Sequence, residues 1–241
     1  MRIVHISDLH LSSIHYVSEW GERVINLIDS MDPEVLVVTG DLTDFGYAYE
    51  YDVVRQYFDN IGVKNIIVVP GNHDARNKGY DIFEELFQTR YPQYQNDIVS
   101  IFGIDSSEPD IDDGHIGREN YLYIEREFQD EDRIKVLALH HHLIPIPGTG
   151  RERQIPVDAG DALKLCNKLN INFVLSGHRH RQWIWKLEDT YFITAGTATT
   201  RRLKGRSYPS FNVIDINGDF AILNEVNVEN ESTKEILNVK I

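Results

Sequence analysis

Five short apolar segments of the chain are each followed by side chains that can bind a divalent metal ion. In chain order these side chains are Asp8 and His10; Asp41; Asn72 with its neighbours His73 and Asp74; His140; and His178 with His180. Carboxylate, amide and imidazole donors without a thiolate suit Mn²⁺, Fe²⁺, Zn²⁺ or Co²⁺. They are more numerous than one tetrahedral ion needs. The set therefore favours two ions sharing a bridging carboxylate, an arrangement that catalyses in-line displacement at phosphorus by a bridging hydroxide.

Each of these elements is weak evidence when it is considered alone. A Gly-Asp pair often forms a turn, and a run of histidines can be a polar loop. Together they are harder to explain without a ligand, because burying an ionisable group without a partner is costly. In an open α/β sheet, ligands bind outside the carboxyl ends of the strands. The pattern therefore predicts that five strand ends deliver their donors to one rim.

The elements that would position these donors alternate between strand and helix patterns. The predicted strands are 2–7, 35–39, 65–69, 99–104, 134–139 and 172–175, and the predicted helices are 17–31, 47–61, 81–91, 118–131 and 158–169. Val35–Thr39 is a β-branched run of the kind found in strands buried on both faces. The alternation predicts an α/β fold whose mixed, parallel-rich sheet carries helices on its faces.

The last quarter of the chain has a different pattern. Segments 182–187, 191–194, 210–216 and 220–228 have the composition of strands, with a tight turn at Asn217-Gly218. We expect a mostly antiparallel C-terminal sheet packed against the first sheet. The predicted architecture is a four-layer αββα sandwich. It forms one domain over 1–241, with a metal-binding α/β part in 1–180 and a β-rich part in 181–241.

The charge of the chain restricts its partners. There are 38 acidic and 24 basic side chains, which give a formal net charge of −14 at pH 7. A protein that binds long nucleic acid needs a basic surface to displace counterions from the phosphates, so we expect neither long nucleic acid nor a membrane surface as a partner. A small phosphate ester is compatible with this charge, because bound divalent ions would dominate the local field. The sequence leaves a homo-oligomer open.

The single cysteine and the first residues indicate a compartment. Cys166 rules out a disulfide within the chain and falls in a helical pattern, where buried packing is favoured over a nucleophilic role. Residues 1–8 already have a strand pattern, with no charged start and long apolar stretch of a secretory signal. No segment reaches the roughly 18 consecutive apolar residues of a membrane span. We expect a cytoplasmic protein.

The motifs together resemble a known family. Asp8-x-His10, Gly40-Asp41, Gly71-Asn72-His73-Asp74, the His140 element and Gly177-His178-x-His180 resemble the five-block signature of the calcineurin-like metallophosphoesterases, in the same order. Further details are similar to the class III cyclic-nucleotide phosphodiesterase branch: Arg76 after the third block, Gly114-x-x-Gly117 before a helix, and the tail segments 195–202 and 209–213.

The resemblance implies a role for each matched position. Asp8, His10 and His180 would bind the first metal ion; Asn72, His140 and His178 would bind the second; and Asp41 would bridge the two. His73 would stay unligated and would stabilise the transition state or protonate the leaving alkoxide. Asp74 would orient His73, and Arg76 would contact the substrate.

Some assignments stay open at this stage. The family commonly has His-His-Pro after the fifth strand, whereas this chain has His140-His141-His142-Leu143, so His141 could replace His140 as the ligand. The acidic segment 105–117 is either a solvated loop or a rim over the site. The basic cluster 201–206 is either a solvated hairpin tip or a phosphate or partner contact.

Three functions compete. The first is a metal-dependent phosphodiesterase that acts on a small diester, with cyclic nucleotides as the leading candidates. The second is a phosphomonoesterase or a nucleotide pyrophosphate hydrolase of the same superfamily. The third, which retention of every ligand position disfavours, is a catalytically silent protein-binding scaffold. Fold alone does not separate them.

Overall fold

A computed structural model describes residues 1–129, 132–150 and 154–241 of the chain. Within these ranges the chain forms five α-helices and twelve β-strands. The helices are α1 (Ser18–Met31), α2 (Ala48–Phe58), α3 (Gly79–Phe87), α4 (Arg118–Glu127) and α5 (Ala159–Lys168). The strands are β1 (Arg2–Ile6), β2 (Val35–Thr39), β3 (Ile66–Val69), β4 (Gln93–Gln95), β5 (Val99–Gly103), β6 (Ile134–Ala138), β7 (Phe173–Ser176), β8 (Trp183–Leu187), β9 (Thr190–Thr194), β10 (Ser210–Asn217), β11 (Phe220–Asn227) and β12 (Thr233–Lys240).

The strands form two mixed sheets of six. The order in the first sheet is β12-β11-β10-β1-β2-β3, and the order in the second is β4-β5-β6-β7-β9-β8. β1, β2 and β3 are mutually parallel neighbours, and so are β5, β6, β7 and β9. Parallel strands need long crossover connections, and helices supply most of them here. All the parallel strands of one sheet therefore end at the same edge of that sheet.

Three apolar layers hold the sandwich together. The helices α1, α2 and α3 pack on the outer face of the first sheet. The helices α4 and α5 pack on the outer face of the second sheet. A third layer lies between the two sheets and includes Ile3, Val35 and Val37 from one side and Val136 and Leu175 from the other. Because side chains alternate along a strand, each central strand supplies both an inner and an outer layer.

The predicted α/β class is confirmed, with two stacked sheets between helices. Its strand membership differs from the prediction in one respect: the tail does not form a separate sheet. β8 and β9 complete the second sheet, whereas β10 pairs with β1 and extends the first sheet. Without β10, β1 would present an open edge beside its buried neighbours, and open edges are a liability in sheets.

Smaller differences concern element ends and two missed strands. β4 has only three residues, and the burial of β12 lacks the strict alternation that marks a half-buried strand. Helix α4 ends at Glu127, earlier than predicted, and the predicted end at 130–131 lies outside the described residues. Among the described residues no helix combines the length and apolar character needed to cross a membrane.

The tail belongs to the packed body, and a mutation in β10 tests this. Ile214 lies opposite Ile3, is fully buried and faces the layer between the sheets. We expect Ile214→Ala to lower the free energy of unfolding of the whole chain by about 2–5 kcal/mol, through lost burial and a cavity. Denaturant unfolding followed by circular dichroism measures this, with exposed Glu235→Ala as the control. A separate early transition, with the main one unchanged, would show that the tail folds independently.

Candidate metal centre

Seven of the predicted side chains meet in one buried cluster at the carboxyl ends of the central strands. They are Asp8, His10, Asp41, Asn72, His140, His178 and His180, and each is less than 10% exposed. The first four follow β1, β2 and β3 of the first sheet, and the three others follow β6 and β7 of the second. The cluster therefore forms where the ends of the two sheets meet.

The first group of donors consists of Asp8, His10 and His180. The Nε2 atom of His180 lies 3.3 Å from Oδ1 of Asp8 and 3.3 Å from Nε2 of His10. With Asp41 these donors form a set whose ligand atoms all lie within 4.8 Å of one another. One metal ion fits among them.

The second group consists of Asn72, His140 and His178. The Nε2 atom of His140 lies 3.1 Å from Oδ1 of Asn72 and 3.2 Å from Nδ1 of His178. The latter nitrogen lies 3.0 Å from the same Asn72 oxygen. Asn72 turns its oxygen inward because its Nδ2 donates to Asp112 at 3.1 Å. A second ion fits among these three donors.

Asp41 stands between the two groups. Its Oδ2 atom lies 3.7 Å from Nε2 of His10 and 3.4 Å from Nε2 of His140. Its other carboxylate oxygen accepts a hydrogen bond of 2.9 Å from the backbone N–H of His73. One carboxylate therefore faces both groups.

The orientation of the imidazole rings shows that the donor set fits a cation. His140 donates from Nδ1 to the Thr39 carbonyl at 2.6 Å, and His180 donates from Nδ1 to the Arg202 carbonyl at 2.7 Å. His10 turns Nδ1 to the Asp44 carboxylate at 2.9 Å. With their protons on Nδ1, these rings aim the lone pairs of Nε2 at one another and at other acceptors. Such contacts repel unless a positive charge lies among them.

The pKa shifts in the cluster also indicate a need for positive charge. Although burial favours the neutral acids, the neighbouring imidazoles lower the pKa of Asp8 and hold the pKa of Asp41 well below its usual range. Burial also opposes a charge on His140, but the Asp41 carboxylate outweighs it and raises the pKa of His140 to about 9. The space between these side chains therefore favours positive charge.

The backbone is unusual at the same positions. Asp8, His10, Asp41, His178 and His180 all have positive φ angles, between 41° and 70°. Non-glycine residues in this left-handed region carry strain, which persists at functional sites when the surroundings over-determine it. Close packing adds a second restriction, because a Cβ atom at residue 71 or 177, both glycines, would overlap the Asp41 or Asp8 carboxylate. The strand ends are thus shaped around their carboxylates.

His73 lies beside the cluster, and its partner differs from the prediction. Its ring packs edge-on against the His10 ring, with 4.8 Å between centroids. Its Nδ1 donates to the Asp44 carbonyl at 2.7 Å. Asp74, which was predicted to orient His73, makes no hydrogen bond to that ring among the described contacts, because its carboxylate accepts hydrogen bonds from Leu42, Thr43 and Gly71. The Asp44 carbonyl orients His73 instead.

Asp74 is fully buried and joins two loops of the site. Its carboxylate accepts hydrogen bonds from the backbone N–H groups of Leu42, Thr43 and Gly71, at 2.9–3.1 Å, and from the Thr43 hydroxyl at 3.0 Å. Burial and the nearby Asp41 carboxylate raise the pKa of Asp74 to about 6. Asp74 thereby fixes the loop that carries Asp41 to the loop that carries Asn72.

The acidic segment 105–117 lies against the site. Asp112 accepts a hydrogen bond from the Asn72 amide and forms an ion pair with Arg76, with 2.6 Å between the charged atoms. The guanidinium of Arg76 also lies 3.1 Å from Nδ1 of His73. The segment is therefore placed as a rim. Arg76 reaches the site, but its charge is already shared with Asp112, so its contact with substrate remains a prediction.

The histidine run after β6 contributes one ring to the cluster. His140 faces Asn72 and His178, as described above. His141 lies close to these rings, with a ligand atom within 4.8 Å of those of His140 and His178, but both of its nitrogens have other partners: Nδ1 bonds the Ser106 hydroxyl at 2.9 Å and Nε2 bonds the Asp112 carbonyl at 3.2 Å. Burial lowers the pKa of His141 and of His142 to about 3, so both rings are neutral at pH 7. The geometry therefore favours His140 over His141 as the ligand.

Three residues that sequence reasoning missed support the site. Asp44 pairs with the His10 ring, Arg202 pairs with Asp44 at 2.9 Å, and buried Glu50 accepts hydrogen bonds from the backbone N–H groups of Asp44, Phe45 and Tyr47. Asp44 lies three residues after the bridging carboxylate, and a polar residue so close to a ligand was a usable signal. Arg202 belongs to the tail segment 195–202 and to the basic cluster 201–206, but neither pattern indicates Asp44 as its partner.

Comparison with known families gives one match that covers most of the chain. A family model described as calcineurin-like phosphoesterase matches residues 1–182. A probable cyclic nucleotide phosphodiesterase of Xenorhabdus bovienii is 25% identical over 92% of this chain and 98% of that protein. A probable glycerophosphodiester phosphodiesterase of Arcobacter nitrofigilis is 29% identical over 59% of this chain and 57% of that protein.

Solved structures show a similar fold at low sequence identity. A purple acid phosphatase from yellow lupin seeds matches with a TM-score of 0.78 and 13% identity, over all of this chain and 53% of that one. The GAP50 anchor of the Plasmodium inner membrane complex matches with a TM-score of 0.71 and 12% identity, over all of this chain and 88% of that one. An enzyme and an anchor thus share the architecture, so the fold alone does not decide activity.

The loop-joining role of Asp74 can be tested by stability. Asp74→Ala leaves three buried N–H groups without their acceptor, and each costs about 1–3 kcal/mol. We expect the free energy of unfolding, measured in denaturant with a chelator present, to fall by about 3 kcal/mol or more. The exposed Asp113→Ala is the matched control. Equal stability of both variants would contradict the role assigned to Asp74.

Proposed function

We propose that this chain, which belongs to the calcineurin-like phosphoesterase family, is a phosphodiesterase that uses two divalent metal ions to hydrolyse a small phosphodiester. The observation that carries the proposal is the position of Asp41, whose one oxygen faces both donor groups. Family membership supports the coarser statement that the chain is a metal-dependent phosphoesterase. The number of ions and the class of substrate are our inference.

The assignment of ligands follows the two donor groups. Asp8, His10 and His180 would hold the first ion. Asn72, His140 and His178 would hold the second, with Asp41 shared between them. Mn²⁺, Fe²⁺, Zn²⁺ and Co²⁺ all accept this mixture of carboxylate, amide and imidazole donors.

The chemistry divides between the ions and the protein. Bound divalent ions would polarise the phosphoryl oxygens and lower the pKa of a water molecule that attacks in line. His73 would protonate the leaving alkoxide, because it lies beside the cluster without belonging to either donor group. Its Nδ1–H is held by the Asp44 carbonyl, which leaves Nε2 for the substrate. The Asp44 carbonyl fixes the direction of the ring, and the Arg76 guanidinium lies beside the same nitrogen, at 3.1 Å.

The surroundings of the site favour a small substrate. The net charge of −14 and the acidic rim around Asp112 would repel a long polyanion. A diester carries one negative charge at its phosphate, fewer than a monoester dianion, and the rim penalises it less. Relatives named as phosphodiesterases support the same preference. Cyclic nucleotides are therefore our leading candidates.

Two alternatives remain within reach of experiment. A phosphomonoesterase or nucleotide pyrophosphate hydrolase would use the same metal centre, since the ions treat the phosphoryl group alike and the rim selects the rest of the substrate. A silent scaffold would keep the fold without the ions. The complete donor set argues against the scaffold.

The proposal is tested by activity and metal content on the same sample. We expect wild-type protein with Mn²⁺ to contain about two ions per chain and to hydrolyse bis-aryl phosphate and cyclic nucleotides. Asp41→Asn should lose at least one ion and a factor of about 10² or more in rate, because the bridge loses its charge. Inductively coupled plasma mass spectrometry and product chromatography give the two readouts.

Matched substrates separate the alternatives. Faster hydrolysis of an aryl monoester than of the corresponding diester would favour a phosphomonoesterase. Well under one ion per chain in folded protein would favour the scaffold. Equal rates for wild type and Asp41→Asn would refute metal-dependent hydrolysis at this site.

His73 can be separated from the ligands by its effect on different leaving groups. We expect His73→Ala to keep the wild-type metal content and to lower kcat by about 10²–10⁴ on substrates with a poor alkoxide leaving group. A nitrophenolate leaving group needs no proton, so the same variant should lose much less on that substrate. An equal loss on both, or a loss of metal, would contradict the role of general acid.

A further inference from the structure

The C-terminal segment 195–202, which we call the strap, lies on the loop that carries Asp8 and His10. The hydroxyl of Thr197 donates to the Asp8 carbonyl at 2.7 Å, and the hydroxyl of Thr199 donates to the Leu9 carbonyl. The Thr199 carbonyl accepts a hydrogen bond from the backbone of Val17 at 2.9 Å. Both threonine side chains are fully buried. The strap therefore holds the backbone of the first donor group.

Arg202 ends the strap and reaches two ligands of that group. Its guanidinium grips the Asp44 carboxylate with two contacts, Nη1 to Oδ1 at 2.9 Å and Nη2 to Oδ2 at 3.2 Å. The same Oδ1 atom lies 2.9 Å from Nδ1 of His10. The backbone carbonyl of Arg202 accepts the Nδ1–H of His180 at 2.7 Å.

The second donor group has different supports. His140 bonds the Thr39 carbonyl, and Asn72 bonds Asp112. The backbone N–H of His178 donates to the Asp8 carboxylate at 3.0 Å. Among the described contacts, none of these supports belongs to the strap. Apart from this link through Asp8, and a backbone hydrogen bond of 2.8 Å from Ala195 to the Ser176 carbonyl, the two groups have different supports.

The choice of arginine has a physical reason. The Asp44 side chain is only 7% exposed, so its charge needs a partner. A planar guanidinium can contact both carboxylate oxygens at once, which fixes the plane of the carboxylate and with it the direction of the His10 ring. Without this grip, the carboxylate could rotate, and Nδ1 of His10 would keep only the Thr43 carbonyl, at 3.1 Å, to hold the direction of the ring.

We propose that Arg202 is a positioning residue that sets the affinity of the first metal position, and leaves the second position almost unchanged. The inference rests on the proposed function, since it presupposes two ions. It concerns a residue that lies beyond the part of the chain matched by the family model, which ends at residue 182. Because the strap connects the site to the C-terminal strands, the binding of both ions would depend on the packing of those strands against the rest of the fold.

The test measures metal binding directly. Wild type, Arg202→Ala, Arg202→Lys and Arg201→Ala are titrated with Mn²⁺ after chelator treatment, and occupancy is followed by calorimetry and electron paramagnetic resonance. Arg201 is the control, because it has the same charge, is the adjacent residue and is exposed. We expect Arg202→Ala to bind one ion as wild type does and the other about 10–100-fold more weakly. The spin-coupled signal of an Mn²⁺ pair should give way to that of isolated Mn²⁺.

The lysine variant and Asp44→Asn separate positioning from a general loss of structure. Lysine restores the charge but not the two-point grip, so we expect it to recover part of the lost affinity. Asp44→Asn should weaken the same position, and the double variant with Arg202→Ala should be little worse than either single variant, because both act through one contact. If Arg202→Ala does not fold, Arg202→Lys decides by the same readout.

Each outcome has a distinct meaning. Two ions bound to Arg202→Ala with wild-type affinity, or an equal loss at both positions, would overturn the role of Arg202. An additive double variant would show that Arg202 does not act through Asp44. Failure of wild-type protein to bind two ions would instead refute the proposed function.

Discussion

The site depends on one constraint: buried acceptors that face one another need a positive charge among them. Two carboxylates, an amide oxygen and four imidazole nitrogens converge within a few ångströms, with almost no exposed surface. The outer nitrogens of three of the rings donate hydrogen bonds to backbone carbonyls, those of Thr39, Arg202 and Thr43, which fixes the tautomers and turns the inner nitrogens into acceptors. Burying these groups costs desolvation, which a positive charge in the cluster, a proton on His140 or a bound cation, would offset.

The rest of the structure holds these acceptors in place. Left-handed backbone at five of the ligands carries strain, and the parallel strands, the Asp74 bonds and the strap over-determine the loops that bear it. The three apolar layers and the buried hydrogen bonds around the site therefore stabilise the folded chain and offset this strain. The frame permits a geometry at the strand ends that an isolated loop would not adopt.

Much of the fold and of the cluster was predictable because the signals are local. Each ligand directly follows an apolar run, and parallel strand ends share an edge, so Asp41 and His140 could be placed without coordinates. Long-range contacts were not predictable in this way. The pairing of β10 with β1, the turn of the Asp74 carboxylate away from His73, and the approach of Arg202 to Asp44 join residues between about 30 and 210 positions apart. The local sequence does not predict which of several distant polar side chains will be the partner in such a contact.

The donors come from both sheets of the sandwich, Asp8, Asp41 and Asn72 from one and His140, His178 and His180 from the other. Bound ions would therefore connect two sheets that apolar packing and a few hydrogen bonds, such as those from His140 to Thr39 and from His178 to Asp8, already hold together. Linkage makes the effect reciprocal: binding that closes the sheet ends stabilises the folded chain, and any strain that separates the sheets weakens binding. The affinity for metal ions would then depend on how closely the two sheets pack at these strand ends.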